Sequence, residues 1–340
     1  MEWIDFRSDT VTKPTKEMLN VMTEAKVGDD VFGEDETVNK LEEKAAEMFG
    51  MEAGLFCASG TMTNQIAIKV HTRPGDEVIC DELSHVYQYE GGGIALNSGA
   101  SVQLLHGNRG RVTAQQIAEG INNPDDIHKA MSRLVVLENT SNRGGGSCYE
   151  FPDIQSIKQI CLENNLTLHL DGARLFNALV AKQQTAKDYG QTFDSISICL
   201  SKGLGAPVGS VLLGTKEMIK KARRVRKVFG GGMRQAGFIA AGGLYALENH
   251  VDRLATDHLH AKQIEQALLS HPKVETVVPV ETNIIIFTMK EGTSAAQFVE
   301  QLKEKGILCF TMGKNQIRFV THLDITEQMV HRTIDILQKK

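Results

Sequence analysis

Lys202 stands where an apolar run, Ser195–Leu200, gives out, and Gly203 and Gly205 follow it at once. A lysine at the mouth of an apolar strand can act as a covalent amine nucleophile, because desolvation and neighbouring cations favour its free base. The glycines beside it let backbone pass close to a bulky planar group. A lysine after a strand is more often a solvated loop residue, so this segment does not decide alone. The run LTLHLDGARLF (166–176) delivers Asp171 from a second buried-type strand into a turn of small residues, with Arg174 just beyond. An acid at the carboxyl end of a parallel strand lies where open α/β sheets hold their ligands, although it can equally cap the following helix. Ser59-Gly60-Thr61 separates the strand-like GLFCA from the helical TMTNQIAIKVH. Free N–H groups and the positive end of a helix dipole suit a phosphate dianion, though Ser-Gly-Thr is also an ordinary N-cap.

The elements that must position these residues read as strand and helix in alternation. Gly54–Ala58, Glu77–Cys80, Val102–Leu105, Leu134–Leu137, Leu166–Leu170, Ser195–Leu200 and Val208–Leu213 have strand character, several of them continuously apolar as strands covered on both faces are. Thr61–His71, Ala114–Asn122, Asp153–Asn164 and Met218–Arg226 have helical periodicity. The alternation predicts an α/β domain with a mostly parallel sheet. A long helix is expected from about Arg234 through Leu269, broken near His250. Beyond it the strands Thr282–Met289 and Gln316–Val320 and the helices Ala295–Lys305 and Glu327–Gln338 predict a smaller α+β domain. The expected division is 1–250, including the N-terminal segment, and 251–340.

Composition narrows the field. The 340 residues are 41% hydrophobic and 23% charged with a net charge of −5, a globular balance at odds with a protein built to grip nucleic acid. The six cysteines form no C-x-x-C pair and read as scattered thiols. MEWIDFRSDT has no apolar run of a signal peptide, and no stretch reaches the ~18 apolar residues of a membrane span. The expectation is therefore a cytoplasmic protein with no membrane and no nucleic-acid partner. KKARRVRK (220–227) has the composition of a basic patch, but its spacing fits a basic helix, from which Arg226 or Lys227 would be the residue to reach a phosphate. Asp29, Asp30, Glu34, Asp35 and Glu36 lack cation-loop spacing and read as a solvated, helix-capping loop, so no metal is expected.

A phosphate cup near residue 60, a strand-end acid near 171 and a strand-end lysine near 202 follow one another in the order expected of fold-type I pyridoxal-phosphate enzymes. The chain resembles the low-specificity L-threonine aldolases of that superfamily over nearly its whole length. The resemblance rests on FRSDTVTKPT (6–15), GDDVFGEDETVNKLE (28–42), SGTMTNQ (59–65), DELSHVYQYEGGG (81–93), LENTSN (137–142), HLDGARLFNA (169–178), LSKGLGAPVGSVL (200–212), GGGMRQAG (230–237) and IRFVTH (317–322).

The resemblance implies a fold-type I, PLP-dependent transferase-like architecture and pyridoxal 5'-phosphate held as a Schiff base on Lys202, beside Ser201. It implies Asp171 as partner of the protonated pyridine nitrogen, which keeps the ring an electron sink. Ser59, Gly60 and Thr61 would bind the phosphate, and His85 would stack on the ring. Ser8, Arg174 and Arg318 would hold the substrate carboxylate, with Arg174 also near the cofactor. His128 would lie near the substrate hydroxyl, and Lys227 and Arg234 near the cofactor at a subunit interface. His85 and His128 are the candidate bases, since imidazole titrates near working pH. The implied reaction is retro-aldol cleavage of L-threonine or L-allo-threonine to glycine and acetaldehyde, in a homotetramer built as a dimer of dimers. A β-eliminating lyase or racemase of the same superfamily is the alternative, as is cofactor binding without turnover. Three positions depart from the family pattern: Phe32 replaces a frequent Tyr, Cys57-Ala58 stand where proline is common, and Ser141 replaces a frequent His.

Overall fold

The computed structural model describes residues 3–338. After a two-residue strand, β1 (Ile4–Asp5), come β2 (Ala53–Cys57), β3 (Asp76–Asp81), β4 (Ser101–Leu105), β5 (Met131–Glu138), β6 (Thr167–Gly172), β7 (Ser195–Cys199) and β8 (Ser210–Gly214). Strands β2 to β8 form one seven-stranded sheet in the order β2-β8-β7-β6-β5-β3-β4. The pairings from β7 across to β4 are parallel, whereas β8 runs antiparallel to both β7 and β2. Parallel neighbours need crossover connections, and helices such as Ala114–Gly120 and Phe151–Glu163 supply them. Both faces of the sheet are therefore covered, which is why β7 is buried at every position. Leu41, Phe49, Phe56, Val135, Leu170 and Ile198 belong to the main core.

One consequence of parallel strands is a shared rim. Glu138 ends β5 opposite Asp171 on β6, and Asp171 lies opposite Ser197 on β7, two residues before Cys199-Leu200-Ser201-Lys202 and the turn beyond. In that turn the Gly205 N–H donates to the Lys202 carbonyl at 2.9 Å. Gly205 has φ +77°, and a Cβ there would stand 2.8 Å from Leu323, so both backbone and space require glycine.

The second body contains β9 (Val274–Val277), β10 (Ile284–Met289), β11 (Ile307–Leu308), β12 (Phe310–Met312) and β13 (Gln316–Val320). Four of these make an antiparallel sheet, β12-β13-β10-β9, while β11 pairs in parallel with β1. Here the structure differs from the expectation that all of 1–250 sits together. Ile4 and Phe6 lie in the second core with Ile264, Phe287, Leu302 and Phe319, and the Phe6 ring stacks on Phe319 at 5.1 Å. The edge of β11 takes up the hydrogen bonds of β1, and the alternation of Ile4 and Phe6 puts both side chains on its apolar side. The expected long helix is two, Gly237–Asn249 and Leu254–Leu269. At the break, the buried His250 donates through Nδ1 to the Leu204 carbonyl at 2.7 Å, tying the helix junction to the turn after Lys202. Among the described residues no helix is long and apolar enough to cross a membrane.

Candidate active site

Asp171 is buried at the rim, its Oδ1 accepting from the Ala173 N–H (3.1 Å) and its Oδ2 from Asn64 Nδ2 (3.0 Å). Asn64 lies on the helix Gly60–His71, whose N-cap is Ser59: its hydroxyl accepts from the Met62 N–H. The other first-turn N–H groups of a helix have no intrahelical partner. Beside them Ser210 Oγ is buried without a hydrogen-bond partner, 3.5 Å from where a Gly60 Cβ would sit. An orphaned hydroxyl facing a helix N-terminus at a residue without a side chain is a fitting cup for phosphate. Ser201 lies close by in sequence to Lys202 and its hydroxyl is 3.5 Å from Cys199 Sγ.

His85 opens the short helix His85–Gln88. Its ring Nδ1 is 3.0 Å from Glu90 Oε1, and its backbone N–H donates to Glu138 Oε2 at 2.7 Å. Glu90 in turn accepts from Asn64 (2.9 Å) and Gln65 (2.6 Å). Burial disfavours a charge on the His85 ring, yet the Glu90 hydrogen bond and the Asp171 and Glu90 charges outweigh it and leave His85 raised. Glu138 also accepts from the Asn142 N–H at 2.8 Å. Burial, then the neighbouring Asp171 carboxylate, pushes Glu138 up to about 7. His85, Glu90 and Asp171 lie together closely enough to be considered as metal ligands. Asn64 already bridges the two carboxylates, so the cluster is explained as a hydrogen-bonded acid pair around an imidazole.

Two arginines converge next to it. Arg174 makes a forked pair with Asp9, Nε and Nη2 each donating at 2.7 Å, with both partners buried. The Arg174 guanidinium, outweighing burial, holds Asp9 down to about 2. Arg174 Nη1 and Arg318 Nη1 both reach Asn142 Oδ1, at 3.4 and 2.9 Å, and Arg318 Nη2 donates to the Arg7 carbonyl at 3.1 Å. Arg318 Nε is buried and unpartnered. Burial and the nearby Arg174 charge lower Arg318 to about 10. A half-satisfied cation beside another cation favours an incoming carboxylate. Ser8 precedes Asp9 and accepts from the Thr10 N–H and hydroxyl at 3.2 and 2.8 Å.

Not every expected residue joins this cluster. His128 lies before the amino end of β5, opposite the rim, where its side chain is 85% exposed and paired with Asp126 at 3.0 Å. Lys227 lies in the last turn of the helix Lys216–Val228 and lines a groove of about 750 Å³ with Val31, Phe32 and Arg224. Arg234 pairs with Asp29 at 2.9 Å. Arg226 is turned inward, 2.8 Å from Asp30 and donating to the Phe56 carbonyl at 2.7 Å, so within one chain it cannot reach an outside phosphate. Asp29 and Asp35 cap their helical turns by accepting from Val31 and Val38. Asn64, Glu90, Glu138, Asp9 and Asn142 were not singled out from sequence. Only their membership in the motifs SGTMTNQ, DELSHVYQYEGGG, LENTSN and FRSDTVTKPT marked them.

An acid, a lysine and a helix N-terminus on the rim of a mostly parallel sheet place the chain among the fold-type I pyridoxal-phosphate enzymes. A family model described as Beta-eliminating lyase matches residues 5–292. The low-specificity L-threonine aldolase 1 of Arabidopsis thaliana is 40% identical over 100% of this chain and 96% of its own. The low specificity L-threonine aldolase of Escherichia coli K12 is 42% identical, covering 96% of each. A solved structure described as the Leishmania major threonine aldolase superposes with a TM-score of 0.86 at 22% identity, covering 98% of both chains. The chain belongs to the low-specificity L-threonine aldolase family, as its motifs led us to expect.

Proposed function

We propose that this protein cleaves β-hydroxy-α-amino acids, L-threonine and L-allo-threonine among them, between Cα and Cβ to give glycine and an aldehyde. The observation that carries this reading is the pair of arginines meeting at Asn142 beside the rim of Asp171 and Lys202. Bound there, pyridoxal phosphate supplies an electron sink for the pair released as the bond breaks. Lys202 anchors it, Asp171 accepts from its ring nitrogen, and Ser59, Gly60, Thr61 and Ser201 hold its phosphate. Arg318 offers its free Nε and planar fork to the substrate carboxylate. Arg174 is fixed by Asp9 and adds its charge to the same corner, with Ser8 at its edge. Clamping the carboxylate sets which Cα bond faces the sink. A substrate held so turns its β-hydroxyl toward a base. Glu90 holds His85 Nδ1–H, which leaves Nε2 of the neutral ring bare to accept the hydroxyl proton.

Two further elements belong to this reading. Residues 1–250, apart from the terminal strand, form the cofactor-holding unit, and 251–340 bring Arg318 to it. The assembly is a homotetramer, a dimer of dimers, in which Lys227, Arg234 and His128 serve a site of another copy. The support is the basic groove beside Phe32 and Val228, which are 73% and 83% exposed. Light scattering tests it, since four chains of 37.4 kDa are expected in one particle. A cytoplasmic location is in keeping with six unpaired buried cysteines.

The deciding experiment is an absorbance spectrum of the purified protein with acetaldehyde followed by a coupled dehydrogenase after adding L-allo-threonine. A band near ~420 nm, general for the lysine-bound cofactor, is expected with release of glycine and acetaldehyde in equal amounts. The band with ammonia or the mirror-image amino acid as product would assign the chain to elimination or racemisation instead. Lys202→Ala should lose both band and turnover.

A further inference from the structure

A line of hydrogen bonds leaves the active-site rim and runs back along one face of the sheet to the amino end of β7. Asn64 donates through Nδ2 to Asp171 Oδ2 at 3.0 Å and to Glu90 Oε1 at 2.9 Å. Its Oδ1 meets His169 Nε2 at 3.2 Å. His169 Nδ1 lies 2.8 Å from Ser195 Oγ, and Ser195 Oγ lies 2.9 Å from His71 Nε2. The geometry follows from the sheet. His169 precedes Asp171 by two residues on β6 and so shares its face, and it pairs in register with Ser195 on β7. Asn64 and His71 sit seven residues apart on the helix Gly60–His71, two turns along one stripe. At the far end His71 lines a hollow of about 360 Å³ together with Asp194 and Thr167.

The chain has one direction. Carboxylates only accept, and two of them face the Asn64 nitrogen, so both of its hydrogens point at acids. Its oxygen, which also only accepts, then requires a hydrogen on His169 Nε2. Burial, with the adjacent His71, holds His169 down to about 3, so its ring is neutral and Nδ1 is bare. Ser195 must donate to that nitrogen, and its lone pair receives His71 Nε2–H. Every donor from His71 onward points toward Asp171.

We propose that His71, Ser195, His169 and Asn64 form a polarised relay in which His169 is a positioning residue for the Asp171 carboxylate. This rests on reading Asp171 as the partner of the cofactor's ring nitrogen. No proton travels along the relay; it works by orientation and by each bond polarising the next. Without the His169 N–H, nothing fixes the Asn64 amide, and a flipped amide turns its oxygen against two carboxylates.

The test compares equilibrium binding of pyridoxal phosphate and of its 1-deaza analogue, in which carbon replaces the ring nitrogen. The affinity ratio isolates the Asp171 interaction from general losses of packing. Wild type is expected to prefer the nitrogen ring by roughly tenfold or more, as a charge-assisted bond should. In His169→Leu the ratio falls severalfold toward one, and in Ser195→Ala it falls less. His169→Gln, which returns an N–H near the Nε2 position, restores it. Thermal melting of each variant separates lost folding from lost preference. If His169→Leu does not fold, Ser195→Ala, which removes one hydroxyl, carries the test. A wild-type protein with no preference would overturn the reading of Asp171 itself. Wild-type ratios in both His169→Leu and Ser195→Ala would overturn the relay and leave that reading standing.

Discussion

His85 and Arg318 are each defined less by their own chemistry than by a carboxylate or a cation beside them. Glu90 and Asp171 raise His85 against the pull of burial, so the ring stays protonated to higher pH than free imidazole. A base that must accept the β-hydroxyl proton works only when neutral, and activity should therefore rise with pH as His85 gives its proton up. Glu90→Gln removes one of the two charges and the hydrogen bond to Nδ1, and should move that acid limb toward lower pH. A kcat–pH profile of the variant that overlays wild type would remove His85 from the role of base. Arg318 carries a different expectation. Arg318→Lys keeps a charge but loses the planar fork and the free Nε. We expect KM to rise about tenfold or more, as for a lost charged hydrogen bond, with kcat changed less. Equal losses in kcat at unchanged KM would show that Arg318 does not hold ground-state substrate.

At the scale of elements, the Asp9–Arg174 pair fastens the N-terminal segment to the turn after β6, across 165 residues of sequence. Removing one member of a buried pair leaves the other uncompensated. Asp9→Asn should cost on the order of 3 kcal/mol in denaturant unfolding and, by loosening Arg174, also raise KM. A variant with unaltered stability would mean that Arg174 finds another anion within the fold. Asp9 also shows where sequence reading stops. The seven runs predicted as strands are all strands of one sheet, and the continuously apolar ones were plainest because a strand buried on both faces has no polar side. Asp171 and Lys202 were legible for the same reason, as polar residues closing such runs. The placement of Ile4 and Phe6 in the second core was not, since two apolar residues carry no periodicity to say which edge they complete. Neither was the pairing of Asp9 with Arg174 or of His169 with Ser195, since contacts between distant strands leave no mark in local spacing. His128 and Lys227 marked the opposite failure. Their motifs are plain in sequence, yet one chain sets them at its outer surface.

For the whole molecule, three histidines, His169 buried and His71 and His258 half-buried, dominate the response to acid. Burial pushes His71 and His258 to about 4 and His169 to about 3. Each folded value lies below the ordinary ~6.5 of the unfolded chain, so as pH falls below that point the unfolded state takes up protons that the folded state refuses. Stability is therefore lost as pH drops from about 6.5 toward 4. Glu138 acts in the other direction. Burial raises it to about 7, above the usual carboxyl range, so the folded state takes its proton first and gains stability between about 7 and 4.5. His85, also raised, shares that direction, but among the strongly shifted groups three outweigh one, so stability should fall between pH 7 and pH 5. Asp9, held down to about 2, adds its own loss only below the ordinary carboxyl value of ~3.9. Urea unfolding at pH 7, 6 and 5 should give midpoints that fall steadily, above the ordinary carboxyl range. In His169→Gln, where one refusing group is absent, the fall should be shallower by roughly half. A midpoint whose slope from pH 7 to pH 5 is unchanged by His169→Gln would mean that His169 gains a proton in the folded state, and the neutral ring on which the direction of the relay depends would be lost.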